Sequence, residues 1–132
     1  MKLQTRSFPS AESESDDPRP RFAICHLGLP AGDVGVLGRF YTSIGMRSVA
    51  QMDRMAILEL RGGTHLVITE GKPGTTTIDL MVDDLEDTRR LLEEVGAEPG
   101  PITQGNPHSS FAATDPEGNR LLVESSHACG PV

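Results

Sequence analysis

Residues 77–96 repeat the pattern of residues 26–45 at an offset of 51 positions, and this repeat constrains the fold more than any other feature of the chain. Gly96 follows Gly45 at that distance (96 − 45 = 51), as Asp84 follows Asp33, Leu91 follows Phe40, Val95 follows Ile44 and Thr77 follows His26. Farther on, an offset of 55 (118 − 63 = 55) relates Gly118 to Gly63, Leu122 to Val67 and Glu124 to Thr69. In each copy a strand-like run (22–29, then 77–82) leads to an aspartate suited to cap a helix. The helices carry Val34, Leu37, Phe40, Tyr41 and Ile44, then Leu85, Thr88, Leu91, Leu92 and Val95. A glycine stands after each, where a left-handed residue closes a helix. Strands are expected at 47–51, 55–60 and 64–69, with a turn at Arg61-Gly62-Gly63, and at 111–114 in the second copy. The pattern describes a duplicated β-α-β-β-β unit and an α+β fold. Two such units, each with a sheet apolar on one face, either stack on a filled interior or curl around a shared pocket. In the second arrangement the pocket carries the function.

At 132 residues the chain is one domain able to bury an ordinary core. Residues 1–21 are rich in Ser, Pro, Glu and Asp and are expected to form a flexible tail; residues 22–132 form the domain, with modules at about 22–70 and 76–126. The tail's charges cancel, so the net charge of −7 belongs to the folded part. Scattered Lys and Arg on an acidic body speak against nucleic acid and membrane surfaces as partners. The apolar runs are far shorter than the ~20 residues a membrane helix requires. No secretory h-region precedes the domain, so a cytoplasmic location is expected. Cys25 and Cys129 lie far apart outside any CxxC pattern and are expected to be free thiols. Phosphate-loop, dinucleotide, nucleophile-elbow and HExxH patterns do not occur.

On His26 in the first strand, the helix from Gly32-Asp33 through Phe40-Tyr41 to Ile44-Gly45-Met46, the opening Val82-Asp83-Asp84-Leu85 and the turn Asp115-Pro116-Glu117-Gly118-Asn119, the chain resembles the vicinal oxygen chelate superfamily. This is the superfamily of glyoxalases, bleomycin-resistance proteins and extradiol dioxygenases. The resemblance implies two tandem β-α-β-β-β modules forming a cupped mixed sheet around a central pocket, and a homodimer. It also implies that metal-using members draw ligands from the first and last strand of each module, positions that fall here on His26, Val67, Thr77 and Leu122. Valine and leucine cannot coordinate a metal, and a threonine hydroxyl is a poor ligand.

Side chains two residues apart share a face, so His65, Asp79 and Glu124 flank those positions on the inward side. With His26 they make an N and O donor set suited to one divalent metal (Fe, Mn, Ni or Zn), His26 and Glu124 being the first candidates. A displacement of two residues is roughly 6.5 Å along a strand, so the four converge only if the registers differ from the family pattern. His26, His65, Asp79, Glu124 and His108, the last just ahead of the strand at 111–114, are therefore candidate ligand contacts in the pocket. His127 follows the last strand and is expected to be exposed. Three readings follow. The first is a bleomycin-resistance-like protein that binds a small molecule without a catalytic metal, the acidic body favouring a cationic ligand. The second is a metal-dependent lyase, isomerase or dioxygenase of the same superfamily. The third is an interaction module with no pocket chemistry.

Overall fold

The computed structural model describes residues 16–74, 76–106 and 108–131. The expected tail lies outside the described residues up to position 15, and residues 16–21 are exposed. The first module contains β1 (His26–Ala31), α1 (Val34–Ser43), β2 (Arg47–Gln51), β3 (Met55–Glu59) and β4 (His65–Glu70). The second contains β5 (Thr77–Val82), α2 (Leu85–Glu94), β6 (Ser110–Thr114) and β7 (Arg120–Ser125). The bounds of β1 and α1 recur in β5 and α2 at the offset of 51, and those of β3 and β4 in β6 and β7 at 55.

The helix ends follow from local chemistry. The Asp33 carboxylate accepts from the Val36 amide and that of Asp84 from the Asp87 amide, each taking one of the orphan donors of a first turn. Gly45 (φ 118°) and Gly96 (φ 80°) then turn the chain where a side chain is disfavoured.

The strands form two sheets, ordered β1-β4-β3-β2 and β5-β7-β6. In both, the first strand pairs in parallel with the last, His26 opposite His65 and Thr77 opposite Arg120. The first strand begins later than the alternation suggests, because the ladder with β4 starts only at His26. Phe22 and Ile24 precede it on exposed chain outside any element, 85% and 64% accessible. The second module's counterpart of β2 is reduced to one bridge, Thr103 to Ser110. Pro99 and Pro101, which lack the amide a ladder needs, lie just before it.

One face of each sheet packs on its helix, and both modules contribute to one core that includes Leu29, Leu37, Leu58, Ile68, Leu92 and Val123. Fully burying each such side chain stabilises the fold by roughly 1.5–3 kcal/mol before chain entropy is counted. Polar ties fix the modules to each other. The Tyr41 hydroxyl donates to the buried Asp115 carboxylate (2.6 Å), and Glu117 accepts from the Gly32 and Asp33 amides at the start of α1. Among the described residues no helix is long and apolar enough to cross a membrane.

Candidate functional site

Among the described residues, the second face of each sheet has no helix over it. On the first sheet, Leu29 and Ala31 of β1 point to the core, so His26, Gly28 and Pro30 take the bare face. The pairing register then sets His26 beside His65, His65 beside Glu59, and Glu59 beside Arg47, in one row across all four strands. The two imidazoles stack with centroids 5.9 Å apart, and His65 Nε2 lies 3.6 Å from Glu59. The Arg47 guanidinium, hydrogen-bonded to Glu59, holds that carboxyl below its ordinary range.

On the second sheet Asp79 and Met81 of β5 share the bare face with Leu122 and Glu124 of β7. Met81 is the register partner of Glu124, which makes Asp79 its diagonal neighbour on the same face. Hydrogen bonding to Asp79 raises Glu124 above the ordinary carboxyl range, with desolvation and the Asp79 charge adding to it and His108 and His127 opposing it. His108 reaches the Ser125 carbonyl through Nδ1 (2.7 Å) and His127 Nδ1 through Nε2 (2.8 Å).

Between the modules opens a cleft of about 490 Å³. Its walls are mostly apolar: Met46 and Leu60 come from the first module, Leu80, Leu121 and Val123 from the second, with Glu59, Arg61 and Asp79 supplying charge. Asp79 is the one sequence-derived candidate in this lining, and Glu124 lies diagonal to it on the same face of the second sheet. His108 stands beside that acid pair, whereas His26 and His65 form their own pair on the first sheet. Glu59 and Arg61 are site residues that the sequence reading passed over. Glu59 gives no signal without the β3–β4 register, and Arg61 looks like part of a glycine turn. His127 is exposed as expected, yet it is also paired.

The metal-ligand set that the resemblance implies does not fit this chain. Of the four corresponding positions only His26 bears a good ligand, and the alternative set divides into the pairs His26–His65 and Asp79–Glu124. Among the described residues no three His, Cys, Asp or Glu side chains converge to hold a metal ion as they stand. His26 and Glu124 are thus not brought together with a third ligand.

The sequence model of the glyoxalase-like domain matches residues 26–123. No curated protein matches the sequence. A lactoylglutathione lyase from Agrobacterium tumefaciens superposes with a TM-score of 0.71 at 19% identity, over 84% of this chain and 98% of that one. The bleomycin resistance determinant encoded on transposon Tn5 gives 0.65 at 23%, over 81% and 100%. TnmS3, an antibiotic-binding protein from Streptomyces sp. CB03234, gives 0.71 at 19%, over 81% and 98%. At these identities the likeness is one of fold.

Proposed function

Because the chain belongs to the glyoxalase-like domain family, we propose that it is a small-molecule-binding protein of the bleomycin-resistance type, working without a catalytic metal. The observation that carries this reading is the apolar inter-module cleft with Asp79 in its wall and Glu124 diagonal to it on the same sheet face. A cleft of this size suits a drug-sized molecule, and the few polar groups in its apolar walls would fix the ligand's orientation. The acid pair and the net charge of −7 favour an organic cation. Asp79 and Glu124 serve as the polar anchor, His108 stands at the rim, and His26 and His65 are offered by the bare face of the first sheet. That face and its counterpart on the second sheet are apolar between their polar groups, which supports a homodimer in which copies cover one another's open faces. The structural neighbours include a bleomycin-binding protein in complex with bleomycin and an antibiotic-binding protein, which agrees with sequestration.

The test is a melting-shift screen with matched cationic, neutral and anionic aromatic compounds, followed by calorimetry on Asp79→Asn. Cations should raise Tm, and the variant should bind them about tenfold more weakly, the loss of one charge-assisted hydrogen bond of ~1.4 kcal/mol. A screen without a single stabilising compound, or unchanged cation affinity in Asp79→Asn, defeats the proposal.

A further inference from the structure

Four consecutive residues of β5, Asp79, Leu80, Met81 and Val82, line the cleft between the modules. Successive side chains of a strand point to opposite faces, so a cavity that touches all four runs along the edge of the strand. That edge is open, because β5 is the outermost strand of its sheet and pairs only with β7 among the described residues. The Arg120 amide donates to the Thr76 carbonyl, which fixes the phase of the parallel ladder. Backbone groups alternate in direction along a strand, so Ile78, Leu80 and Val82 turn theirs to β7, whereas Thr77, Asp79 and Met81 aim N–H and C=O away from it. The same three are the exposed residues of the strand. Asp79 and Met81 therefore present two donors and two acceptors to a cleft whose walls are mostly apolar. At about 490 Å³ that cleft has room for a drug-sized molecule, not for the sheet of a second protein.

We infer that the cleft takes a short, extended, cationic peptide or peptide-like amide, which adds a strand to the open edge of β5. This deepens the reading of the cleft as a ligand site and rests on it. Unpaired edge groups are a template for main-chain pairing, in which backbone bonds supply affinity and side-chain pockets supply selectivity. Two rungs are available, at Asp79 and Met81, roughly 6.5 Å apart along the strand. A ligand must offer amides at that same spacing, which a peptide backbone does and a simple aromatic cation does not. Charge places its basic group. Asp79 carries a carboxylate beside the first rung, while Arg61 is paired with Asp83 and Glu59 with Arg47. Met46, Leu60 and Leu80 offer apolar surface to the ligand's other side chains.

The test is amide hydrogen exchange by NMR on the full chain, with a library of acetylated, amidated tetrapeptides, each carrying one lysine, as probes. In the free protein the Asp79 and Met81 amides should be protected about tenfold less than that of Leu80, which bonds to β7. A peptide that raises Tm should protect both, and methylating its nitrogens that face β5 should weaken binding about tenfold. Met81→Pro removes one outward amide at an edge position where proline is tolerated, and should lose the peptides while circular dichroism stays that of wild type. The methylated peptides make the same test with no change to the protein. No peptide raising Tm overturns the inference, as does binding that leaves the two amides unprotected or is indifferent to methylation. Protection of both amides in the free protein that rises with protein concentration overturns it too, by assigning the edge to a second copy. Binding of aromatic cations without binding of any peptide removes the strand addition and leaves the cleft its proposed function.

Discussion

Replacing Tyr41 by Phe removes one hydroxyl from a fully buried ring and nothing else. That hydroxyl donates at 2.6 Å to Asp115, whose carboxylate also accepts from the Glu117 amide, the Asn119 amide and the Asn119 side-chain amide. Burial, then the hydrogen bond to Asp115, holds the Tyr41 phenol well above its ordinary range, so it remains a donor at any pH the fold survives. A hydrogen bond to a charged group contributes about 1.5–3 kcal/mol net. Oδ2 of Asp115 keeps the Asn119 side-chain amide, so the loss belongs near the middle of that range, ~2 kcal/mol. For a domain of this size that is a fall in Tm of roughly 8 °C. Asp115→Ala strands four donors and should destabilise by about 3–5 kcal/mol. Urea unfolding of the two single variants and the double gives the coupling directly, and a coupling of ~2 kcal/mol is expected because Tyr41 and Asp115 meet across the module boundary. A loss below about 0.5 kcal/mol in Tyr41→Phe, with an unchanged m-value, would refute the assignment of this bond as a tie between the modules.

Three further outcomes follow from the geometry. Glu124 has a raised folded pKa, so its hydrogen-bonded proton stabilises the fold below the ordinary carboxyl value of 4.5, and that contribution disappears as pH rises through the folded value. Carboxyl NMR titration should therefore find its midpoint above 4.5 and see it fall back in Asp79→Ala; an equal midpoint in both proteins contradicts the influence of Asp79 on Glu124. Gly45→Ala should destabilise by roughly 1–3 kcal/mol in chemical denaturation, because φ is 118° there, whereas Gly28→Ala, with open space around the added carbon and no positive φ, should lie within about 0.5 kcal/mol of wild type. Asp84→Ala should cost about 1 kcal/mol by loss of the α2 cap, and a neutral result would show that the Asp87 amide finds another acceptor.

The duplication was legible because its signals are local. An aspartate capping its own first turn, apolar residues at helical spacing and a glycine at positive φ act within a few positions, and strands and helices recur at the two offsets with matching ends. The inventory of possible ligands was legible too, since Val67 and Leu122 carry no metal donor in any fold and the Thr77 hydroxyl is a poor one. What the sequence could not contain was adjacency. Glu59 joins His65 through an antiparallel register, Asp79 joins Glu124 across a parallel one, and His108 joins His127 because β6 and β7 pair at their ends. Asp115 shows only as a turn residue until Tyr41 packs over it from the other module. The sequence by itself determined the modules, their caps and the chemistry they carry. Tertiary structure alone decided which groups stand side by side or face a cleft, because those depend on strand register and module packing between residues far apart in the chain.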